Sequence, residues 1–222
     1  MPLAPSESSK TRIVVQALLA RSGRTFAQEL GIDVAKNMPR ELFKLLVFAL
    51  LSATRISNKL AMRGTLALFE HGWTTAQDMA AATWRQRTDT LDRSGYARYD
   101  ESRSRYLGET TALLIEHYGG DLRRLREEAH RDPGRERELL RQFKGIGDVG
   151  VDIFFREAQA AWNELYPFAD HKALRAADRL ELGRDAHTLG LLVPRQDFPR
   201  LVAALVRCDL ENAYEEFVAT ST

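Results

Sequence analysis

Cysteine is almost missing from this chain of 222 residues, which contains only Cys208. A single thiol cannot form an intrachain disulfide, and it cannot supply the four thiolates that hold an iron–sulfur cluster. The histidines are scattered, and none has a cysteine or a second histidine at metal-ligand spacing. They are His71, His117, His130, His171 and His187. We therefore predict a protein without cofactor or bound metal.

Long hydrophobic runs are also missing, and none approaches the roughly 20 apolar residues of a membrane span. The segment 1–10 is rich in proline and serine and has no apolar stretch of signal-peptide length. We therefore expect no membrane partner and a cytoplasmic location, with association to the nucleoid if the source is prokaryotic.

Excess charge of one sign is the third absence, because 32 Lys and Arg balance 31 Asp and Glu to a net charge of +1. A near-neutral total says little about partners, since a nucleic-acid surface can be basic on one face only. One stretch does concentrate arginines between acidic residues: Arg85, Arg87, Arg93, Arg98, Arg103 and Arg105. We interpret this stretch as a solvated helix face with ion pairs.

No segment sustains the apolar and polar alternation of a half-buried strand, which predicts an all-α fold. Residues typical of helix starts are Pro39, Ser57, Thr74, Thr83, Asp100, Asp132, Asp170 and Asp197. The long helix from Asp100 should end at Gly119, and the helix from Asp197 should continue to Phe217. A helix carrying Ile153 should continue until Pro167 interrupts it.

The most informative segment is 140–150, in which a helix ends in Gly145-Ile146-Gly147 and another helix follows at once. The two glycines can adopt backbone angles that other residues avoid, and Ile146 can anchor the turn in the core. The first backbone N–H groups of the second helix would then face outward and bind a phosphate, aided by Lys144. Alone, this pattern is also typical of a purely structural turn.

Asp170 follows about 25 residues after the hairpin, directly before a predicted helix. A carboxylate at this position is usually just an N-cap. Together with a phosphate-binding hairpin, however, it fits a protein that holds DNA while a base is flipped out. The carboxylate would stabilise the developing oxocarbenium ion and orient a water molecule.

The segment 140–151 resembles the helix-hairpin-helix of the endonuclease III superfamily of DNA glycosylases, and 169–172 resembles its segment with the catalytic aspartate. Two further blocks, 45–59 and 94–107, are similar to conserved parts of that family. The resemblance covers about 42–182 and implies Asp170 as the catalytic residue on double-stranded DNA. It also implies DNA contacts by Lys144, Gly145, Ile146, Gly147, Val149, Thr54 and Arg55.

The chain departs from the family pattern at several positions. Val149 stands where the lysine nucleophile of the endonuclease III branch is expected, and Asp148 replaces a residue that is often basic. The loop with Thr54 and Arg55 lacks the glutamine that fills the space of the flipped base, and the C-terminal iron–sulfur motif is absent. Lysine-less relatives are monofunctional glycosylases, some of which act on alkylated purines.

The resemblance therefore implies a monomeric, monofunctional DNA glycosylase of base-excision repair, with Tyr166 and Phe168 as candidates for stacking on the flipped base. It implies a helical barrel lobe over 42–155 and a second helical lobe from 1–41 plus 156–222, with a DNA-binding cleft. One alternative is a non-catalytic DNA-binding protein of the same fold. Another is a lyase that uses Lys172 or Lys144 as its amine.

Overall fold

The computed structural model describes residues 5–54, 56–97 and 99–218, and every regular element in these ranges is a helix. The predicted all-α fold is confirmed. The α-helices are α1 (Pro5–Ser22), α2 (Phe26–Glu29), α3 (Pro39–Ser52), α4 (Asn58–Glu70), α5 (Ala76–Ala81), α6 (Trp84–Arg93), α7 (Asp100–Tyr118), α8 (Leu122–Glu128), α9 (Pro133–Leu140), α10 (Asp148–Ala158), α11 (His171–Arg179), α12 (Ala186–Gly190), α13 (Phe198–Glu211) and α14 (Tyr214–Val218). Short 3₁₀ turns cover Val34–Lys36, Asn163–Leu165 and Arg195–Asp197. Within the described ranges, no helix combines the length and apolarity that a membrane crossing requires.

Most helix starts follow from local capping chemistry, as the sequence predicts. The hydroxyl of Thr83 accepts a hydrogen bond from the backbone N–H of Gln86, and Gln86 completes a capping box. Asp132 caps α9, with Pro133 as the first helical residue. The helix α7 begins at Asp100 and ends at Tyr118, followed by a glycine in the left-handed conformation.

Three of the predicted helix bounds are wrong, and two of them concern residues next to a cap. Thr75 caps α5, not Thr74, whose hydroxyl accepts a hydrogen bond from Arg40 Nε at 3.1 Å. The last long helix stops at Glu211, where Asn212 adopts a left-handed conformation with φ of 52°, and α14 is separate. Thr75 and Asn212 are both residue types that commonly cap helices. Sequence alone does not show which of the possible caps is used.

The helix carrying Ile153 ends at Ala158, nine residues before the predicted break at Pro167. Beyond this end, Trp162 is completely buried and donates its indole N–H to Asn37 Oδ1 at 3.1 Å. Its ring lies edge-on to Phe154, with the centroids 5.4 Å apart. The segment after this helix is therefore held by a contact with a residue 125 positions away, which local sequence does not encode.

The chain divides into two compact units, a central unit of Leu30–Glu164 and a terminal unit that combines the residues up to Glu29 with those from Leu165 onward. The sequence prediction had drawn these boundaries at 42 and 155. The extra N-terminal residues of the central unit are anchored because Lys44 donates its ammonium to Gly31 O at 3.1 Å. Ile32 and Val34 are also buried there.

The terminal unit is built around α13, which packs against α1 and α11. Leu201 and Leu205 of α13 are completely buried. At the helix surface, Arg207 donates to Ser22 O at 2.9 Å, and Arg175 pairs with Asp209 at 2.5 Å. Residues from both ends of the chain therefore share one core, and this core carries α11.

The central unit is built around α3, in which all ten residues from Leu42 to Leu51 are buried. The helices α4 and α10 pack against α3, and α5 and α6 pack against α7. The packing of α10 on α3 fixes the second helix of the predicted hairpin in the core of this unit. A buried helix of this kind tolerates few polar residues.

The interpretation of the arginine-rich stretch as a solvated face is wrong for two of its members. Arg87 is 7% exposed and donates to the carbonyls of Met79, Ala82 and Ser104. Burial lowers the pKa of its guanidinium. Arg103 also donates to backbone carbonyls, those of Leu50 and Gly145. Arg105 does form the expected surface ion pair, with Glu109, and Arg98 lies outside the described residues.

Candidate functional site

The predicted hairpin is present between α9 and α10. Ile146 is 3% exposed, and its N–H bonds to Phe143 O at 3.0 Å, so the turn is anchored in the core. Gly147 is the N-cap of α10, and the first helical hydrogen bond runs from Val151 N to Gly147 O at 3.0 Å. The amides of 147–150 precede this bond and have no helical acceptor.

Gly145 is required in this turn for two reasons. Its φ is +85°, a backbone angle that residues with a side chain rarely adopt. A Cβ at this position would also lie 2.8 Å from Tyr106 Cδ2 and 2.9 Å from Arg103 Nη1. Both constraints arise inside the protein, so Gly145 has a structural explanation.

Gly147 differs from Gly145, and the expectation of an unusual backbone angle there is wrong. Its φ is −95° and its ψ is −168°, which is extended backbone that any residue adopts. A Cβ at Gly147 would meet no atom of the described structure within 4 Å. Nothing inside the protein therefore requires glycine at this N-cap, where Ser, Thr, Asp or Asn normally satisfies the first amides. Glycine leaves these amides uncovered.

Charged groups around the hairpin balance one another. Asp148 is the first residue of α10 and not its cap, and its carboxylate lies 3.5 Å from Arg141 Nε and 3.9 Å from Arg137 Nη1. The negative charge of Asp148 thus lies close to two arginines. Lys144 is exposed, and Val149 is 57% exposed.

Side chains of α7 donate hydrogen bonds to backbone carbonyls of the hairpin. Thr110 Oγ1 donates to Lys144 O at 3.1 Å, and Arg103 Nη1 lies 3.4 Å from the carbonyls of Gly145 and Leu50. Arg103 therefore connects the end of α3 with the turn. Sequence reasoning missed this role because the partners are 42 and 53 positions away from Arg103.

The end of α3 adjoins the hairpin, since a Cβ at Gly150 would lie 3.4 Å from Ala53 Cβ. Thr54 follows, and its hydroxyl oxygen is buried beside the phenol of Tyr96. Burial raises the pKa of Tyr96 to about 12, so Tyr96 stays protonated and donates to Leu51 O at 2.6 Å. Arg55, the other residue predicted in this loop, lies outside the described residues.

In the terminal unit, Asp170 is the N-cap of α11, which confirms the predicted helix start. Its Oδ1 accepts hydrogen bonds from Lys172 N at 2.9 Å and Ala173 N at 3.0 Å. The residue is 8% exposed, whereas His171 and Lys172 beside it are exposed. Two amides thus hold the carboxylate in one orientation near the protein surface.

The two predicted stacking residues lie just before Asp170 and are both partly exposed. The ring of Tyr166 is engaged within the terminal unit, with Phe198 edge-on at 5.3 Å and the Arg195 guanidinium 4.5 Å from its centroid. A base needs an open ring face for stacking, and the contacts of Tyr166 occupy its ring.

With this geometry established, comparison with known proteins finds likeness in structure only. No protein-family model matches the chain, and neither does any sequence among the curated proteins. A non-covalent endonuclease III–DNA complex is similar, with 21% identity and a TM-score of 0.50 over 77% of this chain and 72% of that one. A trapped covalent endonuclease III–DNA intermediate, an estranged-adenine complex, has 20% identity and a TM-score of 0.49 over 75% and 73%.

The chain has the endonuclease III fold. Within this fold, the central unit brings together the predicted residues Lys144, Gly145, Ile146, Gly147 and Val149, with Thr54 on the adjoining end of α3. The terminal unit carries the predicted residues Asp170, Tyr166 and Phe168.

A buried charge cluster that joins α8, α9 and the 3₁₀ turn at Asn163–Leu165 was not predicted. Arg126 and Glu164 form a bidentate ion pair at 2.5 and 2.6 Å, and the completely buried Glu136 lies beside them. Burial, and then the nearby Glu164, raise the pKa of Glu136 to about 8. Although burial opposes it, Arg126 holds the pKa of Glu164 below its ordinary value. Glutamate on a short charged helix gives no sequence signal of burial.

Proposed function

We propose that this protein is a DNA glycosylase of base-excision repair that acts on double-stranded DNA. The observation that carries the proposal is the uncovered start of α10 at Gly147. The endonuclease III fold adds support, because the similar solved structure is a DNA complex. Fold alone does not define chemistry, so the proposal depends on the residues of the hairpin and of α11.

The hairpin binds a backbone phosphate through the amides of 147–149, all of which belong to exposed residues. The positive end of the α10 dipole favours an anion at this position, and Lys144 adds a charge. Backbone amides contact phosphates without reading bases, so binding is expected to show little sequence preference and to weaken as salt rises.

Asp170 acts on the sugar of the flipped nucleotide. Its carboxylate stabilises the oxocarbenium ion as the base departs and orients the water that attacks the anomeric carbon. The hydrogen bonds from Lys172 N and Ala173 N fix its direction before substrate binds. Such preorganisation lowers the barrier because no group has to reorient during the reaction.

The reaction ends with an abasic site and an intact strand. Strand cleavage by elimination requires an amine that forms an imine with the sugar, and Val149 has none at the family's lysine position. Lys144 and Lys172 are the nearest amines in sequence to the hairpin and to Asp170. Trapping with borohydride would reveal an imine on either lysine and would contradict this part of the proposal.

Gly147→Ala tests whether the hairpin binds phosphate without disturbing the fold of the turn. Because the added Cβ meets no protein atom, the variant should fold normally. The methyl group would stand where the phosphate approaches, so affinity for duplex DNA should fall about tenfold, the loss of roughly one hydrogen bond to a charged group. Fluorescence anisotropy with an undamaged duplex measures this, with Gly134→Ala on α9 as the control.

Base release is tested on alkylated duplex DNA and on a panel of oligonucleotides, each with one lesion. The wild-type protein should give alkali-labile sites on at least one substrate, with no strand break before alkali. DNA binding without base release on the whole panel would favour the non-catalytic alternative. An unchanged duplex affinity of Gly147→Ala would contradict the hairpin's role in binding.

A further inference from the structure

A second candidate site lies in the central unit, in a cleft of about 430 Å³ between α4 and α6. Leu66 and Ala67 form part of its apolar wall, and Arg63 and Arg93 contribute one guanidinium from each helix. Both arginines are exposed. Neither the hairpin nor Asp170 belongs to this cleft, so the proposed function does not yet explain it.

The two arginines lie at the same end of the cleft. A Cβ at Gly95 would lie 3.1 Å from Arg63 Nη2, and Arg93 precedes Gly95 by only two residues. In the part of the chain that the structure describes, no carboxylate lies within ion-pair distance of either guanidinium. By contrast, Arg105 pairs with a glutamate. Two guanidiniums that line one cleft without a counter-ion are suited to bind an anion.

This end of the cleft is connected to the hairpin by direct contacts. Tyr96, which follows Gly95, donates its phenol to Leu51 O at 2.6 Å near the end of α3. Two residues later, Ala53 adjoins Gly150 of α10. The hairpin, the end of α3 and the turn at 94–96 therefore form one continuous part of the central unit, with the two arginines beside it.

We propose that Arg63 and Arg93 bind a second backbone phosphate of the DNA that the hairpin holds. This inference rests on the proposed function, because it takes DNA as the ligand. Glu70 and His71 line the cleft about two helical turns beyond Arg63, roughly 10 Å along α4. The carboxylate at that end disfavours a polyanion lying along the whole cleft. The strand thus crosses the cleft only at its arginine end.

The test is the salt dependence of binding to an undamaged duplex by the full chain, measured by fluorescence anisotropy. Arg63→Gln and Arg93→Gln should each weaken binding at low salt. The double variant should weaken it about tenfold and reduce the slope of log K against log salt by about 1, since each neutralised phosphate contributes about 0.9. Arg85→Gln is the control, because Arg85 is exposed on the same helix outside the cleft.

Three outcomes would overturn the inference, and they differ in what they leave intact. If wild-type binding depends on salt and the double variant has the same slope, the cleft does not bind DNA, while the proposed function stands. If sodium phosphate raises the Tm of the wild type but not of the double variant, and DNA binding is equal, the site binds a free anion. If the wild-type protein does not bind duplex DNA, the proposed function itself fails.

Discussion

The buried Glu136 on α9 should make the protein less stable as pH rises. Its pKa is raised from 4.5 to about 8, so the folded state holds a proton that the unfolded state releases above pH 4.5. For a raised carboxyl pKa, this contribution to stability is fully present below the unfolded value and is lost as pH rises towards 8. The stability of the wild type should therefore fall between pH 5 and 8.

The size of the effect follows from the same pKa. A rise from 4.5 to about 8 sets an upper limit of about 5 kcal/mol, at roughly 1.4 kcal/mol for each pH unit between the two values. Glu164 titrates together with Glu136, and the nearby Arg126 offsets part of the cost of ionisation. Local relaxation of the protein reduces the cost of ionisation further. We therefore expect the stability to fall by about 1–3 kcal/mol.

Glu136→Gln removes the titrating group and keeps its size. Urea unfolding monitored by circular dichroism at pH 5.0, 6.5 and 8.0 should give similar free energies for variant and wild type at pH 5.0. At pH 8.0 the variant should be more stable by about 1–3 kcal/mol. Glu138→Gln is the matched control on the same helix, because its side chain is 67% exposed; its stability should change by less than about 0.5 kcal/mol.

A raised pKa of Glu136 is ruled out if the wild-type free energy of unfolding is constant or rises from pH 5.0 to 8.0 and that of Glu136→Gln changes in the same way. That result would mean that Glu136 is ionised at little cost in the folded state. Neither carboxyl oxygen makes a hydrogen bond of full geometry to a described residue, although Glu164 is close enough to raise the pKa of Glu136. A low cost of ionisation would therefore require water to reach this cluster.

Three further changes have defined outcomes. Gly147→Pro removes one amide donor and restrains the turn, so duplex affinity should fall by more than the roughly tenfold loss of the alanine variant, as measured by anisotropy. Arg87→Met leaves three carbonyls without their donor and should lower the free energy of unfolding by about 3 kcal/mol in urea, and a loss below 1 kcal/mol would contradict the buried network. Arg103→Met should lower the affinity for duplex DNA by loosening the turn at Gly145, with little effect on helix content.

Sequence predicted those elements whose signals are local. The bounds of α7 and the caps at Thr83, Asp132 and Asp170 follow from residues within one helical turn, which is the range of capping hydrogen bonds. The hairpin also follows, because its glycines and the buried Ile146 belong to one short segment.

Features that depend on distant contacts were not predictable in this way. Trp162, which follows α10, is held by a partner 125 positions away, and Arg87 is buried by carbonyls of other segments. The different roles of Gly145 and Gly147 were also hidden, because sequence gives neither their φ angles nor their neighbours. The packing around Tyr166, which engages its ring, required the terminal unit to be assembled.

The proposed role of Asp170 is base release without strand cleavage. Asp170→Asn keeps the size and the capping ability of the side chain and removes its charge, so the protein should fold and bind duplex DNA normally. Single-turnover base release should fall by about 100-fold or more, the scale of losing an electrostatic stabiliser. The measurement compares wild type and variant on the best lesion duplex, with strand breaks scored before and after hot alkali. Wild-type breaks are expected only after alkali, with almost none for the variant; full base release by Asp170→Asn would rule out this role of the carboxylate.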